Sequence, residues 1–104
     1  MSDKLKSLSD AIRLGATFRP QCRGTTSRRL IDSQIGTCAL GAAMEAVFGF
    51  NEVASSPNGT LQQLAKRFPN EEAWFDIIVT WNDGSEYLTR EQIADRLDER
   101  MGRK

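Results

Sequence analysis

Residues 36–50 read "GTCALGAAMEAVFGF", and the reading of this stretch decides the architecture. Thr37 is a helix cap by type, and the eleven residues "CALGAAMEAVF" (38–48) follow it. Ala39, Leu40, Ala42, Ala43, Met44, Ala46, Val47 and Phe48 surround the axis, with Glu45 as the one charge. A helix apolar on nearly every side belongs in a core. Gly41 among alanines allows a neighbouring backbone to come close, and Gly49 followed by Phe50 forms a glycine stop with a hydrophobic contact. A cysteine at a helix start can have a lowered pKa. Cys38, however, has no histidine anywhere in the chain to serve as base, and it sits among core residues. It reads as a packing cysteine.

The remaining elements arrange themselves around that helix. Leu5, Leu8, Ile12 and Ala16 recur at helical spacing, giving a first helix over 3–14 capped by Ser2, or one that starts later at Ser7. Gly15 is the expected C-terminal stop. Residues 16–37 do not read as helix, because Pro20, Gly24 and Thr25-Thr26-Ser27 interrupt them. Two short strands near 18–23 and 29–34, turning at Gly24–Ser27, account for that length better than a bare loop. Residues 51–59 read as loop. Thr60 and Gln63 are placed to form a capping box for a third helix with Leu61, Leu64, Ala65 and Phe68 inward, closed by Pro69.

The segment 70–82 is ambiguous between strand and helix. Its β-branched and aromatic residues favour a strand. Asn70 as cap, Glu71 and Glu72 near the helix start, and the spacing of Ala73, Trp74, Ile77, Ile78 and Trp81 favour a helix, which we adopt. Asn82-Asp83-Gly84 then reverses the chain. The last helix has both a hydrophobic staple and a capping box in Leu88, Thr89, Gln92 and Ile93. Ile93, Ala94, Leu97 and Met101 form its inner stripe, Arg90, Glu91, Asp95, Arg96, Asp98, Glu99 and Arg100 are expected to face water, and Gly102 ends it. The expected fold is α+β: one domain over 1–104, about five helices around the buried 38–48 helix, and a small β-hairpin at about 18–34.

Composition narrows the chemistry. The chain has 104 residues, 39% apolar and 27% charged, which suits one soluble globule. No apolar run approaches a membrane span, and the N-terminus lacks the form of a secretory signal, so a cytoplasmic location is expected. There is no histidine, which removes Cys/His zinc sites, Cys–His pairs and Ser–His–Asp triads. Two cysteines, Cys22 and Cys38, build neither a zinc site nor a disulfide framework that a cytosolic chain of this size would need. Carboxylates would have to carry any catalysis. A buried Glu45 paired with an arginine reads as structural, and Asp76, Asp83 and Glu86 complete no nucleophile–base set. We therefore expect no enzyme, no catalytic residues, no metal and no cofactor.

Three motif-like stretches fail on inspection. "WNDGSEYLTREQI" (81–93) resembles half an EF-hand loop, but Trp81, Glu86 and Gln92 occupy key ligand and glycine positions. "YLTREQIADRL" resembles the first helix of a helix-turn-helix unit, yet only "DERMGRK" follows. An alternative unit at 60–78 would turn Glu71, Glu72 and Asp76 toward phosphates.

Charge is balanced overall but uneven. Residues 1–38 hold seven Lys/Arg and three Asp/Glu, while the rest holds seven and eleven. Arg19, Arg23, Arg28 and Arg29, with Gln21 and Thr25–Ser27 nearby, are the candidate binding residues, because guanidinium forks suit phosphates and carboxylates. The same segment also reads as a solvated hairpin. The expected partner is a protein; a nucleotide or single-stranded nucleic acid bound through these arginines is the alternative.

Three segments, "LSDAIRLGATFRPQ", "GTCALGAAMEAVFG" and "WND…LTREQIADRL", resemble a family of small uncharacterised bacterial and phage proteins. That family reads as an "LSEAIRLGA" helix, a "CALGAA" helix and a closing "LND…TREQIADW" segment. The matching residues are Leu8, Ile12, Gly15, Pro20, Cys38, Leu40, Gly41, Asn82, Asp83, Thr89, Glu91 and Ile93. The resemblance implies a compact, mainly helical domain of the phage or prophage type, and brings no established activity. Some members carry Cys-x-x-Cys and His near the third segment; this chain lacks them, so no metal site carries over.

Overall fold

The computed structural model describes residues 5–30 and 34–103. Among these, six α-helices and a two-stranded antiparallel ribbon form a mainly helical α+β domain. The helices are α1 (Leu8–Ala16), α2 (Ala39–Phe48), α3 (Phe50–Ser55), α4 (Pro57–Arg67), α5 (Phe75–Asp83) and α6 (Arg90–Arg100). A 3-10 segment, Pro69–Trp74, leads into α5. The ribbon pairs β1 (Ser27–Arg29) with β2 (Ile35–Thr37). No helix of the described residues is long and apolar enough to cross a membrane.

Helix α2 lies at the centre, as its all-round apolar character requires. Its first six residues, Ala39–Met44, are buried, and α1, α3, α4 and α5 all pack on it. Its cap is Cys38, one residue later than expected: the thiol sulfur accepts from the Gly41 N–H at 3.3 Å. Thr37 is free of that duty and turns its hydroxyl to Arg90. Gly41 admits a close neighbour as expected, because a methyl group there would overlap the Thr26 carbonyl. Gly49, with φ of 90°, closes the helix by donating to the Glu45 carbonyl.

Helix α1 starts at Ser7, whose side chain accepts from the Asp10 N–H. Ser2, the other candidate cap, lies outside the described residues. Gly15 does not end the helix. It lies within α1, where any side chain would overlap the Ala42 carbonyl of α2. Close packing of the two helices, and not a stop signal, accounts for this glycine.

The hairpin is displaced from its expected register. The strands are 27–29 and 35–37, and the Leu30 N–H donates to the Gln34 carbonyl. Residues 31–33 of the expected second strand lie outside the described residues. The segment 18–23 contributes only a parallel bridge from Gln21 to Thr37. Pro20 lacks an N–H to extend a ladder, and the Gly24 N–H is held by the Asp83 carboxylate. The 51–59 region is helical, not loop, since α3 and the first turn of α4 fill it. Pro57 opens α4 at a position where no donor is needed. Thr60 therefore lies inside the helix, its hydroxyl donating to the Glu52 and Ser56 carbonyls. The 75–83 stretch is helical, and Asn82 and Asp83 belong to its last turn instead of forming the reversal. Helix α6 carries the expected capping box.

Candidate functional site

Two regions could carry function: the arginine segment read from the sequence, and a cleft beside the N-terminus of α2. Two of the four arginines, Arg19 and Arg23, are engaged by other parts of the chain. The Arg19 Nε reaches both oxygens of Glu45 at 3.0 Å, and its guanidinium lies 3.9 Å from the centre of the Phe50 ring. Glu45 is nearly buried by this pair, which holds the chain after α1 against α2. Arg23 donates to the Leu88 carbonyl at 3.0 Å and stacks near Tyr87. Tyr87 is 74% exposed and has φ of 55°, a conformation that a bulky residue rarely adopts. Arg28 and Arg29 lie exposed on β1.

A fifth arginine, missed at the sequence level, sits at the heart of the fold. Arg90 is only 5% exposed, although its place at a helix start predicted a solvated side chain. Its Nη1 donates to the Thr37 hydroxyl at 2.8 Å and the Thr37 carbonyl at 3.2 Å. Its Nη2 donates to the carbonyls of Ala16 and Arg19. Burial lowers its pKa from the ordinary arginine value. Its partners are neutral oxygens, one of them at the C-terminus of α1, where the helix dipole favours a cation.

Asn82 is a second hidden organiser. Its carboxamide oxygen accepts from Gln21 at 2.8 Å and from the Ala39 N–H, an otherwise unpaired donor at the start of α2, at 3.1 Å. Its nitrogen donates to the Cys22 carbonyl and to Asp83. Two acceptor and two donor positions exhaust an amide side chain. The residue therefore ties α5, α2 and the 21–22 segment together.

The cleft opens next to these groups. Gly24–Thr26 arches over the start of α2, with the Thr26 carbonyl accepting from the Cys38 N–H at 3.1 Å and Gly24 anchored on Asp83. Beneath the arch lies a cavity of about 160 Å³, walled by Cys38–Leu40, Met44, Leu61, Ile78 and Val79 and bordered by Asn82 and Asp83. A shallower trough continues past Leu61 toward Pro69, Glu72, Phe75 and Asp76. Both thiols near the arch are unreactive by environment. Burial pushes Cys38 up, and it pushes Cys22 up to about 11 with a contribution from nearby Cys38. The thiolate is the nucleophile, so neither sulfur is primed for attack at neutral pH. Among the described residues, no cysteine, aspartate and glutamate side chains gather as a set able to hold a metal ion.

Comparisons with protein-family models, with curated proteins and with solved structures give no match to this chain.

Proposed function

We propose that this chain is a small cytoplasmic binding domain of the phage or prophage type, which docks on a protein partner without catalysing a reaction. One observation carries the reading: the side chains with chemical potential are held by the chain itself, while an apolar cleft stands open. Cys38 caps α2, Asn82 and Arg90 bind backbone, and Arg19 occupies Glu45. An active site needs such groups aimed at a substrate position. The cleft offers instead the half-buried Leu61 and the 41%-exposed Val79. The phage or prophage origin rests on the three-segment resemblance.

The test is capture from host lysate with micromolar immobilised protein. A specific partner whose retention falls on Val79→Asp supports docking; no specific partner contradicts it. A second reading, nucleotide or single-stranded nucleic-acid binding through Arg19, Arg23, Arg28 and Arg29, draws support from the exposure of Arg28 and Arg29 on β1. It requires salt-dependent binding that an Arg28→Ala/Arg29→Ala double variant loses.

A further inference from the structure

We propose that the groove between α4 and α5 receives a basic, apolar segment of a partner protein. The segment's apolar side chains rest on Leu61 and Val79, and its cations face Glu72, Asp76 and Asp83. This inference deepens the docking function and rests on it.

The cavity under the 24–26 arch and the trough beside Pro69 share Leu61 and both border α5, so they lie next to one another along that helix. Asp76, Val79 and Asp83 are spaced i, i+3 and i+7 on that helix, which places them on one stripe. All three are exposed. Glu72, on the 3-10 segment, borders the same trough. From Asp76 to Asp83 the path runs roughly 10 Å, the length of two helical turns or about three extended residues.

The charged side chains that line this path are all acidic, and Arg28 lies beside Gly24 at its arch end. No lysine or arginine lines either part of the groove among the described residues. Several acids elsewhere are matched with guanidinium groups, Arg13 with Asp95 and Asp98, Arg96 with Glu86, and Arg103 with Glu71. Glu72 and Asp76 have no such partner among the described residues, and Asp83 is bound only by the neutral Gly24 N–H and Asn82 amide. An apolar floor alone would accept any greasy segment. An acidic rim excludes acidic segments and favours cationic ones, so the rim selects the partner.

The test selects a displayed library of random 12-residue peptides on the immobilised full chain. Recovered peptides are then titrated against the wild type, Val79→Asp, a Glu72→Gln/Asp76→Asn double variant and an Arg28→Ala/Arg29→Ala double variant. All these side chains are exposed, so circular dichroism melts should match the wild type. The expected winners interleave Lys or Arg with Leu, Ile, Met or Phe. They should bind about 3- to 10-fold more weakly to the double acid variant, fail on Val79→Asp, and lose no affinity on the arginine changes. Acidic or uncharged winners, winners indifferent to the groove variants, or no enrichment would overturn the proposal. Self-association abolished by Val79→Asp would also overturn it, because a second copy would then cover the groove. Loss of a captured partner on the arginine double variant alone would remove this groove and leave docking intact. No winner together with no captured partner would remove both.

Discussion

Arg90 carries a positive charge into the interior and meets four neutral oxygens from two separate parts of the chain, 16–19 and Thr37. Replacing it with methionine takes this donor from the Ala16 and Arg19 carbonyls and the Thr37 hydroxyl, while the Thr37 carbonyl keeps the Cys22 N–H, at a cost of about 2–4 kcal/mol. Denaturant unfolding of Arg90→Met checks this; a change within about 0.5 kcal/mol is what a surface arginine would give and would contradict it. The thiol of Cys22 yields a second prediction. Its pKa is raised to about 11 in the fold, so its contribution is fully present below the unfolded thiol's range, near 9, and is lost as pH rises toward 11. Wild type should lose roughly 2 kcal/mol more than Cys22→Ala across that window in pH-dependent unfolding; parallel curves would refute the burial. Neither role was legible beforehand. Arg90 directly follows a capping threonine and precedes a glutamate, a pattern that reads as solvated helix start, and only the tertiary approach of Thr37, Ala16 and Arg19 reveals its contacts. Asn82 likewise resembles a turn residue, because a local window cannot show that its amide meets Gln21, Cys22 and Ala39.

At the scale of elements, two glycines set how closely segments meet. Gly15 sits in α1 against the Ala42 carbonyl, and Gly41 sits in α2 against the Thr26 carbonyl. Helix propensity alone predicts that Gly15→Ala stabilises by up to about 1 kcal/mol. The packing predicts the opposite sign, a loss of about 2 kcal/mol or more, since backbone must move to admit the methyl group. Thermal melts of Gly15→Ala decide between them. The closeness at Gly41 was legible, because a glycine inside an apolar helix has few other uses. The same logic applied to Gly15 was masked by its position near a plausible helix end. The buried α2, the helical 75–83 stretch and the capping box of α6 were legible from periodicity and cap chemistry. The strand register was not: with only three residues per strand, pairing is set by the anchors at Gly24 and Thr37, and not by alternation.

For the whole molecule, α1 and α6 are tied by one polar network. Asp98 of α6 accepts from Ser9 and pairs with Arg13 and Arg103, and Arg103 also reaches Glu71. Burial pushes the Asp98 carboxyl up, but hydrogen bonds from Ser9, Arg13 and Arg103 outweigh it and hold the pKa below the ordinary aspartate value. A depressed folded pKa gives stability that is present above the unfolded value, near 4, and lost as pH falls below it. Denaturant unfolding followed across pH should therefore show stability falling more steeply below about pH 4 in the wild type than in Asp98→Asn; equal slopes would show that the network does not couple to folding. The sequence placed Asp98 in water, because the outward stripe of a helix becomes an interface only when another helix with Ser9 and Arg13 lies against it.

The central claim is that α2 forms the dry interior on which α1, α3, α4 and α5 assemble, and native-state amide hydrogen exchange tests it most directly. Amides of Ala42–Met44 should exchange among the slowest in the chain, with an opening free energy equal to that of global unfolding. Exchange there as fast as in the exposed turn at 84–87 would contradict the account.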